Sequence, residues 1–363
     1  MAPTSYTALV QSKELSTKSR LPLAIAPSCS LPDLPSPYHV LVRVCAVALN
    51  PSDWKMPTFF YAEGNGLGVD FCGIIEEAGP LSTYSPQVRV CGAANFPYAP
   101  NGPRRGAFAQ YTVADSRCLL KVPDGVTDSQ AAAIGGVGWG TSCLAISDSE
   151  ALGLAALPSK PADKPIPVLV YGGATATGIM AIQILKLSGY LPISVCSPKS
   201  SELVRRYGAV GTASYLSSTV ADIKKLAGGV PIKHVLDCIT TPESVSHCFE
   251  AISRVGGRYA CLEAIPNGCT LRRAVKVKVV MGYEWESFDV EMNHPVYSRK
   301  ANPASEALRT TWVKEIQSLL DKREITTKPI REINGGFEGI IKGLNMIYRG
   351  EEGDKKLVVG LSS

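Results

Sequence analysis

The sequence is short of the features that membrane, nucleic-acid-binding and secreted proteins share. Within its 363 residues no apolar stretch approaches the roughly 20 residues that cross a bilayer. Its first nine residues lack the basic segment followed by an apolar one that marks a secretory signal. The net charge is only +5, and the basic residues form no long run with interleaved aromatic residues. We therefore expect a cytoplasmic protein whose partners include neither a membrane nor a nucleic acid.

Residues that could ligate a metal or attack a substrate are also sparse and scattered. The eleven cysteines include no C-x-x-C pair, and the four histidines are isolated at His39, His234, His247 and His294. A zinc site needs thiolates and imidazoles at close spacing, so the sequence predicts no metal. An odd number of irregularly spaced cysteines is typical of reduced thiols in the cytosol. No nucleophile with a neighbouring base is evident, and covalent catalysis is not expected.

The chain is long enough for two lobes, and its two parts differ in pattern. The first part is rich in β-branched residues between Gly and Pro turns, which predicts short strands at 38–49, 73–77, 88–91 and 107–112. An Ala-rich helix is predicted at 128–146, followed by a loop at 147–167 that contains four prolines. This part indicates a small strand-rich barrel.

From Val168 to about Val280 apolar strands alternate with helices, including strands predicted at 232–237 and 257–262. Such alternation predicts a doubly wound parallel sheet with right-handed crossovers. An amphipathic helix is predicted at 304–320, and a strand at 355–360 is expected to return to the first lobe. The expected fold class is therefore α/β, with a strand-rich lobe and a doubly wound lobe.

The most informative segment is a glycine-rich turn between an apolar strand and an apolar helix at 168–187. A backbone of small residues followed by a helix N-terminus can hold the pyrophosphate of a dinucleotide. Thr175 stands where the middle glycine of G-x-G-x-x-G is usual, so the pattern owes its strength to its context. A turn of the same shape that binds no ligand is the alternative.

The next apolar strand, Leu191–Cys196, leads into Ser197, Pro198, Lys199 and Ser200. A site for NAD typically has Asp or Glu here for the ribose 2′-hydroxyl. Hydroxyls and a lysine suit a 2′-phosphate, which predicts NADPH. Lys199 as a solvated surface lysine is the alternative.

Several further motifs resemble the zinc-free, quinone-reductase-like branch of the medium-chain dehydrogenase/reductase superfamily. They are Asn50–Lys55 (NPSDWK), Gly68–Gly73 (GVDFCG), Gly106–Tyr111 (GAFAQY) and Ala131–Ala133. A narrower set is similar to fungal trans-acting enoyl reductases, which serve polyketide synthases: Tyr171–Thr177, Leu187–Tyr190, Cys196–Pro198, Asp237–Ile239 and Asn334–Phe337. The resemblance implies a GroES-like domain at 1–146 with 296–363 and an NADPH-binding Rossmann domain at 147–295.

The same resemblance implies a set of functional residues. For the cofactor it implies Pro51, Ser52, Asp53, Trp54, Lys55, Ala174, Thr175, Ala176, Thr177, Ser197, Pro198, Lys199, Ser200, Tyr215, Leu262, Glu263, Leu357 and Val358. For the substrate, in a cleft between the lobes, it implies Thr141, Ser142, Cys143, Leu144, Ala145, Ile146, Met281, Gly282, Tyr283, Glu284, Trp285 and Glu286. Lys55 is the candidate catalytic residue, either stabilising developing charge or relaying a proton, and anchoring of the cofactor ribose is its alternative role.

The sequence also departs from the family patterns. Zinc members have a cysteine near position 50 and Gly-His-Glu near 69, where this chain has Asn50–Ser52 and Val69-Asp70. Glu263 stands where an uncharged amide is expected, and Trp139-Gly140 replaces the usual Ile-Ser. Glu284 and Glu286 are unusual beside an apolar substrate, and their alternation with Trp285 favours a strand with both carboxylates in solvent.

The implied activity is transfer of hydride from NADPH to an α,β-unsaturated polyketide thioester, carried by the acyl carrier protein of a partner polyketide synthase. Basic docking patches for that acidic carrier are predicted at Arg104-Arg105 and at Arg272-Arg273 with Lys276 and Lys278, and a solvated charged face is the alternative. Val275–Val279 is predicted as an edge strand whose charges block pairing. Quinone-reductase relatives dimerise through this edge, whereas the resemblance to the trans-acting enoyl reductases implies a monomer, which is the expectation here. The competing functions are a free-standing quinone or enone reductase and a reductase-like scaffold without hydride transfer.

Overall fold

The computed structural model describes residues 5–13, 21–100, 105–217, 219–286 and 288–361. Packing of the backbone divides the chain into two compact units. The first unit consists of Met1–Val137, Glu286–Ala301 and Ile316–Ser363, and the second of Gly138–Trp285 and Asn302–Glu315. The domain boundaries at 146/147 and 295/296 stay a prediction, because compact packing does not test which segments fold together.

The described elements are fifteen strands, nine α-helices and three short 3-10 helices. The strands are β1 (Ser5–Gln11), β2 (Leu23–Ser30), β3 (His39–Ala48), β4 (Asp70–Ala78), β5 (Arg89–Ala93), β6 (Tyr111–Asp115), β7 (Leu120–Lys121), β8 (Pro167–Tyr171), β9 (Leu191–Cys196), β10 (Gly211–Ser214), β11 (His234–Asp237), β12 (Gly257–Cys261), β13 (Val275–Val279), β14 (Ile330–Glu332) and β15 (Lys356–Gly360). The helices are α1 (Ser52–Phe59), α2 (Asp128–Ile134), α3 (Val137–Ser147), α4 (Ala176–Leu187), α5 (Ser201–Arg206), α6 (Thr219–Leu226), α7 (Pro242–Ala251), α8 (Pro303–Asp321) and α9 (Gly336–Tyr348).

The first unit is strand-rich, as the sequence predicts. One sheet has the order β14-β15-β3-β4-β5-β7, with β6 also paired to β3, and β1 and β2 form a separate antiparallel pair. β15 pairs antiparallel with β3, and Val358 lies opposite Ala48. The predicted return of the last strand to the first lobe is therefore confirmed. This pairing brings residues near 356 to the end of β3, where residues 49–55 begin.

The second unit contains a six-stranded parallel sheet in the order β10-β9-β8-β11-β12-β13. The chain winds outward from β8 in one direction and from β11 in the other, so the topological switch point lies between these two strands. The strands are buried on both faces because helices cover them, and their apolar residues join the side chains of α7 in one core. The doubly wound lobe is confirmed, and β13 lies at the end of the described strand order as expected for an edge strand.

Two local predictions are corrected. The single helix predicted at 128–146 is two helices, because α2 ends at Gly135, whose φ is +47°. A Cβ at Gly135 would overlap the carboxyl group of Asp70, so the chain must turn there with a glycine. The strand predicted at 107–112 begins only at Tyr111, since Ala107 and Phe108 hydrogen-bond to the Leu67–Gly68 segment.

Candidate functional site

The glycine-rich turn of the second unit follows β8, next to the topological switch point. Gly172 has a φ of +77°, which a side chain would strain. At Gly173 a Cβ would overlap Ser194, and at Gly178 it would overlap the carbonyl oxygen of Gly172. The turn is thus built from positions where only a hydrogen fits, so the start of α4 packs closely against the turn and the turn against β9.

Thr175 caps the N-terminus of α4 and does not fill the turn. Its Oγ1 accepts a hydrogen bond from the Gly178 N–H at 3.0 Å and donates one to the Gly172 carbonyl at 2.8 Å. The N–H groups of Ala176 and Thr177 belong to the first turn, where a helix offers no acceptor of its own. Together with the positive end of the helix dipole they form a site for an anion. The threonine at the usual glycine position is therefore compatible with a phosphate site.

The hydroxyl-rich segment after β9 lies at the same edge of the sheet. β9 and β10 are parallel with Cys196 opposite Ser214, so Ser197 and Tyr215 follow neighbouring strands at one edge. Ser197 and Ser200 share a hydrogen bond of 2.6 Å between their hydroxyls. Pro198, Lys199 and Tyr215 are exposed, while Ser200 is buried. No carboxylate occurs at positions 197–200, so the segment lacks the group that would bind a ribose 2′-hydroxyl.

On the other side of the switch point a buried aspartate shapes the edge of the sheet. Asp237 ends β11, and its Oδ1 accepts the N–H groups of Ile239 and Thr240 at 2.9 and 3.0 Å. Its Oδ2 accepts the hydroxyls of Ser244 and Tyr259. Burial raises the pKa of Asp237. Sequence reasoning gave this residue no role, although a lone aspartate at the end of an apolar strand was the available signal.

Leu262 and Glu263 follow β12 at this edge and are half-buried. The N–H of Leu262 donates to Thr240 Oγ1 at 3.4 Å, and the Cys261 thiol donates to the Glu263 carbonyl at 3.4 Å. The second unit therefore brings Thr175, Ser197, Tyr215 and Leu262 to the carboxyl ends of its strands. This is where ligands bind in open α/β sheets.

In the first unit, residues 50–55, here called the β3–α1 connection, run from the end of β3 into the first turn of α1. Asp53 lies on the inner side of this connection and is fully buried. Its Oδ1 accepts the Tyr98 hydroxyl at 2.7 Å, and its Oδ2 accepts the Asn50 N–H at 2.8 Å. Burial raises the pKa of Asp53 to about 7, although these two hydrogen bonds act in the opposite direction. Its carboxylate therefore supports the connection from within.

The neighbouring side chains of this connection are more accessible. Pro51 is exposed, and Ser52, Trp54 and Lys55 are half-buried. The Lys55 ammonium lies 5.9 Å from the centre of the Trp54 ring, which in turn packs edge-on against Tyr348 at 5.0 Å. Leu357 and Val358 are buried in β15, and the Leu357 carbonyl accepts the Leu49 N–H at 3.0 Å. Of this group, Lys55 has the only cationic side chain.

Beneath the same connection lie three polar side chains from distant parts of the sequence. Lys356 Nζ is 3.2 Å from Asp70 Oδ2 and also donates to Asn50 Oδ1. Asn50 Nδ2 donates to Asp70 Oδ2 at 2.9 Å. Sequence reasoning missed Lys356, and the available signal was a lysine at the start of the otherwise apolar strand Leu357–Val359.

The predicted substrate residues of α3 are all buried in the second unit. These are Thr141, Ser142, Cys143, Leu144, Ala145 and Ile146. Ser142 donates to the Thr177 carbonyl at 3.0 Å, which ties α3 to the start of α4. Gly282 packs against the Thr141 hydroxyl, and the rings of Trp139 and Trp285 are 5.4 Å apart. The structure therefore brings α3 and residues 281–285 together.

The strand interpretation of residues 281–286 is wrong. Gly282–Trp285 is a short 3-10 helix, and Glu284 is buried rather than solvated. Its Oε2 accepts from Lys278 Nζ at 2.8 Å, and its Oε1 accepts the Met281 N–H at 2.8 Å. Glu286, which is half-buried, accepts the Phe96 N–H at 2.6 Å. The alternation misled because internal donors satisfy both oxygens of the Glu284 carboxylate, which therefore does not need water.

Comparison with known proteins gives the family. A model of the alcohol dehydrogenase GroES-like domain matches residues 36–124. The trans-enoyl reductase sthE of Phaeosphaeria nodorum is 57% identical over 357 residues, which cover 98% of this chain and 97% of that protein. The chain belongs to the trans-enoyl reductases. Another member, calK of Penicillium decumbens, is 45% identical over 369 residues, covering 99% of each chain.

Solved structures share the fold of this trans-enoyl reductase family member at low identity. A putative zinc-dependent alcohol dehydrogenase protein from Rhizobium etli has a TM-score of 0.78 at 20% identity and covers 99% of both chains. The CurK enoyl reductase has a TM-score of 0.70 at 16% identity and covers 98% of this chain and 99% of its own. The match to the alcohol dehydrogenase GroES-like domain and the identity to trans-enoyl reductases confirm the resemblance to the medium-chain dehydrogenase/reductase superfamily, and the protein is an oxidoreductase.

The β8–α4 turn of this family member suits the phosphate of a dinucleotide. Around the β8–α4 turn, the N–H groups at the N-terminus of α4 are the donors that would hold a phosphate. Among the residues that the structure describes, no three His, Cys, Asp or Glu side chains group as a metal site would require. The described helices likewise include none that is both long and apolar enough to span a membrane.

The predicted docking patches of this family member are only partly free cations. Lys276 pairs with Glu150 at 2.9 Å, and Lys278 pairs with Glu284, so neither adds much positive charge to the surface. Arg272 donates to the Ile252 and Ser253 carbonyls and is half-buried. Arg105 donates to the Asp33 carbonyl at 2.7 Å, and Arg104 lies outside the described residues.

Proposed function

We propose that the protein transfers a hydride from NADPH to the β-carbon of an α,β-unsaturated polyketide thioester, which the acyl carrier protein of a partner polyketide synthase carries. The observation that supports this most is the anion site at the β8–α4 turn, beside the switch point of a doubly wound sheet. The trans-enoyl reductases at 57% and 45% identity support the reaction class.

The second unit offers a group for each polar part of the cofactor. The pyrophosphate would be held by the backbone at Ala174–Thr177. The 2′-phosphate and the adenine ribose would be held by Ser197–Ser200 and Tyr215, where hydroxyls and a cation replace the carboxylate of an NAD site. Leu262 and Glu263 would lie towards the nicotinamide. We therefore propose NADPH in preference to NADH.

Residues 51–55, 357 and 358 are proposed for the nicotinamide end. NADPH, when bound, supplies the hydride. The part left to the protein is to orient the reactants and to stabilise the negative charge that develops on the thioester oxygen. Lys55 is the cation of this segment, and we propose that it stabilises that charge or donates the proton. Its alternative role is to anchor the nicotinamide ribose.

The substrate would contact Thr141–Ile146 in α3 and Met281–Glu286 in the segment after β13. A monomer is proposed because β13 lies at the sheet edge and carries paired charges at Lys276 and Lys278 that disfavour strand pairing. All eleven cysteines are free, which supports a reducing, cytoplasmic location.

The function is tested by following the fluorescence of NADPH with purified protein. An α,β-unsaturated acyl group is presented on pantetheine and on an acyl carrier protein, and the saturated acyl group serves as the control. We expect NADPH consumption with the unsaturated thioesters only. Turnover confined to small diffusible enones or quinones would support a free-standing reductase. Binding of NADPH without any turnover would support a scaffold.

Lys55→Met separates the two roles of the lysine. If Lys55 stabilises developing charge, kcat falls by about 10²-fold while the Kd of NADPH is unchanged. If it anchors the ribose, the Kd rises and kcat at saturating NADPH is retained. Lys164→Met, at an exposed loop position outside the proposed site, is the matched control.

A further inference from the structure

The first unit buries two opposite charges far from each other in the sequence. The side chains of Lys356 and Asp70 are only 5% and 1% exposed, and their charged atoms are 3.2 Å apart. The pair lies at the meeting point of three neighbouring strands, β15, β3 and β4. Asp70 lies opposite Ala48 on β3, and Val358 lies opposite the same residue from the other side.

Asn50 completes the cluster and links it to the functional segment. Val358 lies opposite Ala48 in the antiparallel pair of β15 and β3. Asn50, two residues after Ala48, is therefore next to Lys356, two residues before Val358. Its amide group is held at both ends, since Oδ1 accepts from Lys356 and Nδ2 donates to Asp70 at 2.9 Å. Its backbone is held as well, because its N–H donates to Asp53 at 2.8 Å and its carbonyl accepts the Asp53 N–H at 3.0 Å.

Asp70 also fixes the other side of the cluster. Its Oδ1 accepts the N–H groups of Gly136 and Val137 at 2.8 and 2.9 Å, which requires the glycine turn at Gly135. These two hydrogen bonds therefore fix the orientation of the Asp70 carboxylate independently of Asn50 and Lys356. A rigid carboxylate can hold its partners in one place, whereas a mobile one cannot.

A gain in stability does not account for this pair. Burying two charges costs desolvation energy, and replacing a buried ion pair by apolar residues is often neutral or stabilising. The Lys356–Asp70 pair instead fixes the orientation of the Asn50 side-chain amide. Asn50 immediately precedes Pro51–Lys55, the segment proposed for the nicotinamide end.

We propose that Lys356 and Asp70 are positioning residues that act through Asn50 to hold residues 51–55 in the conformation that binds NADPH. This inference rests on the proposed function. The cluster touches neither cofactor nor substrate, and its effect reaches the cofactor only through the Asn50 side chain.

A cycle of variants tests whether Lys356 acts through Asn50. We expect Lys356→Met to raise the Kd of NADPH by about tenfold in the native background. In the Asn50→Ala background we expect the same change to leave the Kd within about twofold, because the side chain that Lys356 orients is already gone. Tm should fall in both backgrounds, since Asp70 is left as an unpaired buried charge. Equal changes in Kd in the two backgrounds would overturn the proposal.

The double variant Lys356→Met, Asp70→Asn removes both charges. It therefore avoids the unpaired buried charge that could unfold the single variant. We expect this double variant to recover most of the Tm but not the Kd, and recovery of both would indicate a purely structural role. Lys355→Met, at the exposed neighbouring position, is the matched control and should change neither quantity.

Hydrogen exchange without cofactor separates this inference from the proposed function. In the double variant the amides of Asp53 and Lys55 should exchange faster than in the native protein, while amides of the β8–β9 sheet are unchanged. Unchanged exchange at Asp53 and Lys55 would overturn the inference even if NADPH binds. If the native protein does not bind NADPH, the proposed function fails, and the exchange result still decides whether the cluster holds this segment.

Discussion

Asp53 shows how a single buried carboxyl can make a site sensitive to pH. Burial raises its pKa to about 7 in the folded protein, against an ordinary value near 3.8. Between these two values the unfolded chain loses its proton while the folded chain keeps it. Folding stability contributed by this group is therefore highest at acidic pH, falls as the pH rises from about 4 to about 7, and is constant above that range.

Asp53→Asn should remove this dependence. We expect the Tm of the native protein relative to the variant to decrease from pH 5 to pH 7.5, because the variant carries no titrating group at this position. Thermal unfolding of both proteins across that range measures this difference in Tm. The contributions of the other titrating groups cancel because both proteins contain them. A difference that is flat, or that rises with pH, would contradict the assignment.

Lys199 provides a test of cofactor choice by one side chain. Its exposed position after β9 suits a 2′-phosphate, so Lys199→Ala should raise the Kd of NADPH by about tenfold, the effect of losing a charge-assisted hydrogen bond. The Kd of NADH should not change, because NADH lacks that phosphate. Fluorescence titration with both cofactors measures this, with Lys164→Ala as control. A parallel change for both cofactors would indicate that Lys199 does not contact the phosphate.

At the scale of elements, the break between α2 and α3 is set by a distant side chain. The alanines predict one helix across 128–146, but Gly135 and Gly136 weaken helix propensity in its middle. The Asp70 carboxylate, on β4, receives the N–H groups that follow Gly135. The glycines thus permit the break, and the tertiary contact fixes it.

Gly135→Ala should destabilise the protein more than backbone strain alone. Gly135 has a φ of +47° and a ψ of −140°, a conformation that costs alanine about 1–3 kcal/mol. At Gly135 the new methyl group would also overlap Asp70. Gly353→Ala is the matched control, because Gly353 also has positive φ but would meet no atom within 4 Å. Urea unfolding should give a lower free energy of unfolding for the Gly135 variant. Equal losses would mean that the Asp70 contact adds nothing.

Residues 281–286 are a second segment in which the sequence pattern predicts the wrong secondary structure. Alternation of Glu and Trp is typical of a strand with one solvent-exposed face. The segment instead contains the 3-10 helix Gly282–Trp285, and the Glu284 side chain is buried. Lys278, on the edge strand β13, supplies the compensating charge. Such a pair cannot be found from alternation, since it depends on where the following turn places the carboxylate.

At the scale of the whole molecule, the fold is shared with many distant proteins, whereas the residues of the proposed site belong to this chain. Chains at 16–20% identity share the fold across nearly the full length. The doubly wound order, with its switch point between β8 and β11, fixes where a dinucleotide can bind. On the proposed function, the hydroxyls and the lysine after β9 would select the dinucleotide that carries a 2′-phosphate.

NADPH should therefore stabilise the folded protein more than NADH at the same concentration. A ligand at about 100 times its Kd adds about 2.7 kcal/mol to the free energy of unfolding. For a protein of this size the midpoint of thermal unfolding should rise by several degrees. Thermal-shift measurements with each cofactor check this, and equal shifts would contradict the preference for the 2′-phosphate.

The sequence by itself determined most elements and the family. Apolar periodicity predicted β3, the β8–α4–β9 unit and β15, because the alternation of buried and exposed positions is a local property of the chain. The motifs at 50–55, 68–73 and 171–177 indicated the family, and the run Ser197–Ser200 predicted the cofactor. These inferences use residues that are neighbours in the chain.

Only the tertiary structure decided which polar residues are brought together inside. Asn50, Asp70 and Lys356 meet although 286 positions separate Asp70 from Lys356. Glu284 is buried because Lys278 lies beside it, and Asp53 is buried because Tyr98 and Asn50 satisfy it. A charge can leave water only when its partners are in place, and those partners are chosen by strand pairing and turns rather than by local sequence.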